Sequence, residues 1–266
     1  MDHVRKDHVR KDKDGSDMSG HSKWATTKHR KGAVDKARGK LFAKLIRQVE
    51  VAAREGGGDV NANATLRTMF AKARDASVPL DTIERAIKRG TGELEGVRYE
   101  AVAYEGYAPS GVALIVECLT DNRNRTGADI RALFSRNGGS MAEPGAVSWQ
   151  FERKGVVLLP KTVSEDELMG VAVDAGAEDL SDEGTDWMLT AAPSDLHALR
   201  TALDEASIPV ESADLEMVAT TKVEIDTEAV AKRVLKLIEL LEEHDDVQNV
   251  WSNFDIPDEI LESVEV

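Results

Sequence analysis

The chain has 266 residues, of which 41% are hydrophobic and 5% aromatic, one cysteine, and a formal net charge of −15. That length suits two or three modest domains. It contains no apolar run of about 18 residues to span a membrane, and its start lacks the apolar core of a secretory signal. One cysteine excludes an intramolecular disulfide and a cysteine-rich zinc site. These features predict a cytoplasmic protein.

The net charge hides an asymmetry. Residues 1–17 hold five basic and five acidic residues, 18–92 hold 16 and 7, and 93–266 hold 13 and 37. A head of net +9 beside a body of net −24 predicts that the head contacts a polyanion and the body is kept away from it.

In chain order, Asp2-His3-Val4-Arg5-Lys6 is repeated at once as Asp7-His8-Val9-Arg10-Lys11. A segment so poor in apolar residues cannot bury enough surface to order itself. It predicts a disordered, tag-like extension over 1–17, with the protein proper starting at Met18. From Met18 to Lys31 no helix or strand period is present, which predicts an extended arm.

Helical spacing begins near Ala33 and is clear at Leu41-Phe42, Leu45-Ile46, Val49 and Ala52-Ala53, closing at Gly56-Gly57-Gly58. A second helix is expected after an Asn61 or Asn63 cap. A third follows Pro79, with Asp81 and Glu84 as a capping box and Gly90 as its stop. Together, residues 18–95 read as a basic arm plus a small helical domain.

Beyond Arg98 the texture turns to strands. Residues 99–107 alternate, Pro109-Ser110-Gly111 turns, and 112–119 is a nearly continuous apolar strand. Asp121-Asn122-Arg123-Asn124-Arg125 reads as a polar loop, and Thr126 and Asp129 as the opening of a helix closed at Asn137-Gly138-Gly139. Residues 147–216 read as ββαββαβ, a ferredoxin-like sandwich with an extra strand, starting from a hairpin of 147–151 and 156–159. A helix over 227–243 and a strand over 247–251 supply what the 98–140 unit lacks. The predicted fold class is therefore α+β: a helical domain and two α/β sandwich domains. One is discontinuous (98–146 plus 217–266) and the other (147–216) is inserted in it.

The basic arm carries the strongest chemical signal. Lys23, Lys28, Arg30, Lys31, Lys36, Arg38 and Lys40 supply cations for a phosphate backbone, while Ser22, Thr26, Thr27 and His29 can hydrogen-bond phosphate oxygens. Trp24 either stacks on an unpaired base, worth about 1–3 kcal/mol, or packs on the helical domain. The other reading of the arm is a solvated segment or an internal counter-charge to the acidic body. Arg123 and Arg125 read either as a second phosphate contact at a helix start or as arginines paired with nearby carboxylates.

Catalytic readings fare worse. His21 and His29 have no Cys or carboxylate spacing to complete a metal site. Cys118 falls in an apolar strand, where a thiol is buried rather than nucleophilic. The Gly56–Gly58 and Gly90-Thr91-Gly92 runs lack the context of a phosphate loop. No enzyme activity, cofactor, metal, membrane or small-molecule substrate is expected.

Gly20-His21-Ser22-Lys23-Trp24, Lys36-Ala37-Arg38-Gly39-Lys40-Leu41-Phe42 and Asp81-Thr82-Ile83-Glu84-Arg85-Ala86-Ile87 closely resemble motifs of the YebC/PmpR family. So do Tyr104-Glu105-Gly106-Tyr107-Ala108-Pro109, Leu119-Thr120-Asp121-Asn122-Arg123-Asn124-Arg125-Thr126 and Gly145-Ala146-Val147-Ser148-Trp149. The resemblance runs from Met18 to the C-terminus. It implies a non-enzymatic, three-domain, nucleic-acid-binding protein of the cytoplasm, and the family carries two labels, DNA-binding transcriptional regulator and ribosome-directed translation factor. A flexible cationic arm before an acidic body favours insertion into a pre-formed RNA crevice over major-groove reading by a recognition helix. The alternatives are a DNA-binding transcriptional regulator and a scaffold whose acidic body recruits a basic protein.

Overall fold

The computed structural model describes residues 34–184 and 186–264. These form two compact units, Gly155–Leu215 and the remainder.

The remainder begins with helices α1 (Val34–Gly56), α2 (Ala64–Asp75) and α3 (Leu80–Thr91). Their apolar faces close on Leu45, Val49, Leu66, Ala73, Ile83 and Ala86. Asn63 joins the first two: its side chain donates to the carbonyls of Ala52 and Gly57 at 2.8 Å and accepts from the Leu66 N–H at 3.0 Å. One amide thus caps α2 and satisfies carbonyls at the end of α1. Glu50, 3% exposed, accepts from Arg54 at 3.2 Å and Arg89 at 2.9 Å, tying α1 to α3.

Two expectations for α3 are corrected. Pro79 occupies the N-cap position with no side-chain cap bond, so Asp81 and Glu84 do not form a capping box. Gly90 is not the stop. It is buried inside α3, and the helix ends at Gly92, in the left-handed region at φ 84°. The reason is helix packing: a Cβ on Gly90 would lie 2.4 Å from the Glu50 carbonyl and 2.8 Å from the Ala53 Cβ.

The sandwich that follows has an antiparallel sheet with the order β3-β1-β2-β9, made of β1 (Glu100–Tyr107), β2 (Ala113–Thr120), β3 (Ser140–Met141) and β9 (Val247–Ser252). Its inner face, with Leu114, Val116 and Cys118, packs against Ile130 and Phe134 of α4 (Arg123–Arg136) and Val234, Leu237 and Ile238 of α7 (Glu228–Glu242). The even-numbered positions of β2 point one way, as a period of two requires. Its odd-numbered Ala113 and Ile115 join Val147, Phe151 and Trp251 on the other face. Short β8 (Val223–Glu224) and β10 (Phe254–Asp255) pair in parallel, and α8 (Asp258–Ser263) ends the described chain.

α4 starts earlier than predicted. Asn122 is its N-cap and accepts from the Arg125 N–H at 3.0 Å, so Arg123 and Arg125 lie in the first helical turn rather than in a loop. Thr126 is buried in place of capping.

The Gly155–Leu215 unit uses β4 (Phe151–Pro160), α5 (Glu165–Ala172), β5 (Ala177–Asp182), β6 (Asp186–Ala191), α6 (Leu196–Glu205) and β7 (Ser212–Ala219). The sheet order β5-β6-β4-β7 with βαββαβ connections is ferredoxin-like. The expected extra strand is absent. Residues 151–160 form one continuous strand, and Gly155, which falls between the two strands of the expected hairpin, pairs within it with Ala191. Gly155 is needed there because a Cβ would meet the Leu196 Cβ at 2.8 Å.

Candidate nucleic-acid interface

Of the residues singled out in the sequence, Ser22, Lys23, Trp24, Lys28, His29, Arg30 and Lys31 lie outside the described residues. Lys36 and Arg38 belong to α1. Lys40, Arg123 and Arg125 are described in full.

Lys40 begins a cationic row that runs down α1 and meets the C-terminus of α7. Its Nζ donates to the Glu243 carbonyl at 3.0 Å, and Lys44 Nζ to the Glu242 carbonyl at 2.9 Å. Arg47 donates to the Asp245 carbonyl at 2.6 Å and to Asp246 Oδ1 at 3.1 Å. Spacings of four and three residues put these cations on one helix face. The last carbonyls of α7 lack intrahelical partners and carry the negative end of its dipole, so cations from α1 are the fitting donors. The Arg47 guanidinium also lies 5.3 Å from the Tyr99 ring centroid.

Asp246 is the hub of this junction. Its Oδ2 accepts from Thr126 Oγ1 at 2.7 Å, Arg125 at 2.8 Å and Thr120 Oγ1 at 3.2 Å, while Oδ1 takes Arg47. Burial alone would push its pKa up. The Thr126 and Arg125 hydrogen bonds and the two guanidinium charges outweigh that, and the net shift is downward. Arg125 also pairs with Asp121 at 2.8 Å, which together with the Asp246 bond raises its own pKa further. The carboxylate-paired arrangement is thus the one Arg125 adopts.

Around this hub lies an open depression of about 770 Å³, bordered by Lys40, Arg47, Arg125 and His244 but also by Asp121, Asp129, Glu243, Asp245 and Asp246. Acidic groups at least balance the cations, so the depression presents no net attraction to a phosphate. His244 faces Asp129 at 3.4 Å and accepts from the Asp246 N–H at 3.2 Å.

Two structural roles were not legible in the sequence. Glu105 of β1 reaches the 145–148 turn, where its carboxylate accepts from the N–H groups of Gly145 at 2.8 Å, Val147 at 2.7 Å and Ser148 at 3.0 Å. Burial raises its pKa and these backbone donors lower it more, for a net fall. The turn is a backbone anion nest filled from within. In sequence Asp246 closes the run Glu242-Glu243-His244-Asp245-Asp246, which has the look of a solvated face. It is buried because Thr120, Thr126 and two arginines converge on it from elements far apart in sequence, and no local pattern signals such convergence. Cys118 is 2% exposed and burial pushes its thiol up to about 12, which suits a packed side chain.

A helical head locked to an antiparallel sandwich, together with a ferredoxin-like unit, defines a three-part α+β protein whose head holds an excess of cations. Residues 22–93 match the TACO1/YebC protein N-terminal domain, and residues 99–254 match the TACO1/YebC second and third domain. The chain belongs to the TACO1/YebC family. It is 56% identical to a probable transcriptional regulatory protein of Parafrankia sp., over 93% of this chain and 99% of that one. A probable transcriptional regulatory protein of Streptomyces coelicolor is 54% identical over 93% of this chain and 100% of its own length. The crystal structure of a conserved hypothetical protein from Aquifex aeolicus superposes with a TM-score of 0.82 at 46% identity, covering 90% of this chain and 98% of that one. Among the described residues, no helix is long and apolar enough to cross a membrane.

Proposed function

We propose that the chain is a non-enzymatic, nucleic-acid-binding regulator of gene expression that grips its polyanion with the basic segment 22–40, ribosomal RNA being the favoured target. One observation carries this reading. Lys23, Lys28, Arg30, Lys31, Lys36, Arg38 and Lys40 share that segment with a single acidic residue, Asp35. Lys40 itself, and further along the head Lys44, Arg47, Arg54, Arg67 and Arg89, donate to protein acceptors. Residues 41–92 hold nine basic against six acidic residues, so the densest excess falls on the N-terminal side of Lys40. Clustered cations release counterions from a phosphate backbone, and Ser22, Thr26 and Thr27 add hydroxyl contacts that orient the strand. The acidic body limits how much further surface a polyanion can cover, which suits an arm entering an RNA crevice. Sucrose-gradient sedimentation of cell lysate at near-physiological salt tests the RNA target. The protein is expected to travel with ribosomal particles, and a protein confined to the top of the gradient contradicts it.

A second reading, a DNA-binding transcriptional regulator, is favoured by the names that the relatives carry. It predicts a preference of about 10³ or more for a specific site over random DNA at fixed salt. Binding that is indifferent to sequence removes it.

A further inference from the structure

The pairing of Arg125 with Asp121 and Asp246 leaves the other arginines of α4 to be accounted for. Within a body of 13 basic and 37 acidic residues, α4 carries four arginines and one acidic residue. Arg123 and Arg131 are both exposed, and neither guanidinium has a hydrogen-bond or ion-pair partner among the described residues. They border a second depression, of about 250 Å³, together with Tyr104, Asn124, Gly127, Ala128 and Met141. Asp129 points elsewhere, toward His244.

The spacing of these groups is regular. Arg123, Gly127 and Arg131 recur every four residues, so they form one stripe whose ends stand about 12 Å apart along the helix axis. Gly127 lies between the two arginines. A Cβ there would come within 3.2 Å of the Tyr104 hydroxyl, so glycine lets the ring lie close against the helix backbone. The ring is fixed from the same helix, since its hydroxyl donates to the Arg123 carbonyl at 3.1 Å. The Tyr104 ring thus lies against the stripe that carries the two unpaired guanidiniums, and Met141 shares the lining of the depression, both side chains being partly buried where they pack on the sandwich core.

We propose that this depression seats one unpaired nucleotide, its base against Tyr104 and Met141 and its flanking phosphates on Arg123 and Arg131. The inference rests on the nucleic-acid reading above and adds a contact remote in sequence from the basic segment. Charge complementarity names the occupant, because a planar guanidinium fork matches a phosphate and the aromatic face accepts any base. The volume is below the range of about 300–1,000 Å³ for pockets that enclose a whole small ligand, which fits a base still attached to its strand. A base stacked in a duplex could not enter.

The test is a fluorescence-anisotropy titration of the full chain with a labelled, unstructured 12-nucleotide RNA, its DNA equivalent and a duplex of the same sequence, each at several salt concentrations. The double variant Arg123→Gln/Arg131→Gln is expected to bind the single strands about tenfold more weakly and to lower the salt slope by about 1.4, at roughly 0.7 for each phosphate neutralised on a single strand. Ala128→Glu, which sets a carboxylate on the rim, is expected to weaken single-strand binding as well. Arg136→Gln, outside the depression, removes a charge and leaves affinity close to wild type. The RNA and DNA arms decide which sugar the site prefers. If the wild-type chain binds single strands while the double variant and Ala128→Glu keep its affinity and slope, this site is overturned and the basic segment stands. Preferred duplex binding that responds equally to Arg136→Gln overturns it in favour of a diffuse charge effect. Failure of the wild-type chain to bind any of the three probes overturns both the site and the functional reading.

Discussion

Arg47 of α1 and Asp246 of the α7–β9 turn meet at 3.1 Å, and this pair joins the helical head to the sandwich. Because Asp246 is only 6% exposed at its side chain and also receives Arg125 and two threonine hydroxyls, it is worth more than an ordinary surface ion pair. Asp246→Asn is expected to cost about 1–3 kcal/mol, the usual penalty for unsettling a hydrogen-bonded buried charge. Urea denaturation measures it. In a double-mutant cycle, Arg47→Ala and Asp246→Asn should show a coupling of about 0.5–3 kcal/mol, and strict additivity would remove the junction from the account.

The depressed pKa of Asp246, and that of Glu105, gives stability a pH dependence of fixed sign. A carboxyl group whose folded pKa lies below its unfolded value stabilises fully above about pH 4 and loses that contribution as pH falls through the folded pKa. The urea midpoint should therefore hold from neutral pH down to the ordinary carboxylate range and decline below it. Asp246→Asn and Glu105→Gln should each flatten that decline. Variants with the wild-type slope in acid would contradict the assignment.

Gly90 supplies a packing prediction. With the Glu50 carbonyl 2.4 Å from where a Cβ would sit, Gly90→Ala forces α1 and α3 apart. The expected loss is about 1–3 kcal/mol, as for other overpacked interiors, even though alanine is the better helix former. Equal or higher stability would mean that α1 and α3 cross with room for a methyl group at Gly90.

Much of the fold was legible because local signals agree with the tertiary arrangement. The Asn63 cap, the alternating β1 and the amphipathic α7 all follow from period and capping chemistry. The Pro79 and Asn122 caps were local misreadings, while others share a different cause, a residue whose role is set by a distant neighbour. Gly90 looked like a stop because glycine usually is one, yet it answers to α1. Gly155 falls between the strands of the expected 147–159 hairpin, yet it makes room for Leu196. For Arg125 the sequence left two roles open, and Asp121 with Asp246, the latter remote in sequence, decides for the carboxylate-paired one. Arg131 drew no reading, because the depression it borders with Arg123 and Tyr104 exists only once α4 is placed beside β1.

Cys118 tests the claim that the apolar strand is core and not chemistry. With burial pushing its thiol up to about 12, it should resist a thiol-specific reagent at neutral pH in the native state and react fully in denaturant. Rapid native labelling would place it at an accessible site.

Trp24→Ala separates the two roles open to that ring. Stacking on a base predicts an affinity loss of about 1–3 kcal/mol with little change in salt slope, since no charge is removed. Packing on the helical head predicts a lower melting temperature as well.

The central claim, that the basic segment grips the polyanion, is tested most directly by the salt dependence of binding when its cations are removed. Wild-type chain and the triple variant Lys28→Ala/Arg30→Ala/Lys31→Ala are titrated with RNA and DNA across a salt series, with melting temperature as the fold control. The triple variant is expected to bind more weakly, with a salt slope lowered by roughly 0.7–0.9 for each phosphate left without its cation and an unchanged melting temperature. Identical affinity and slope in the two proteins would contradict it.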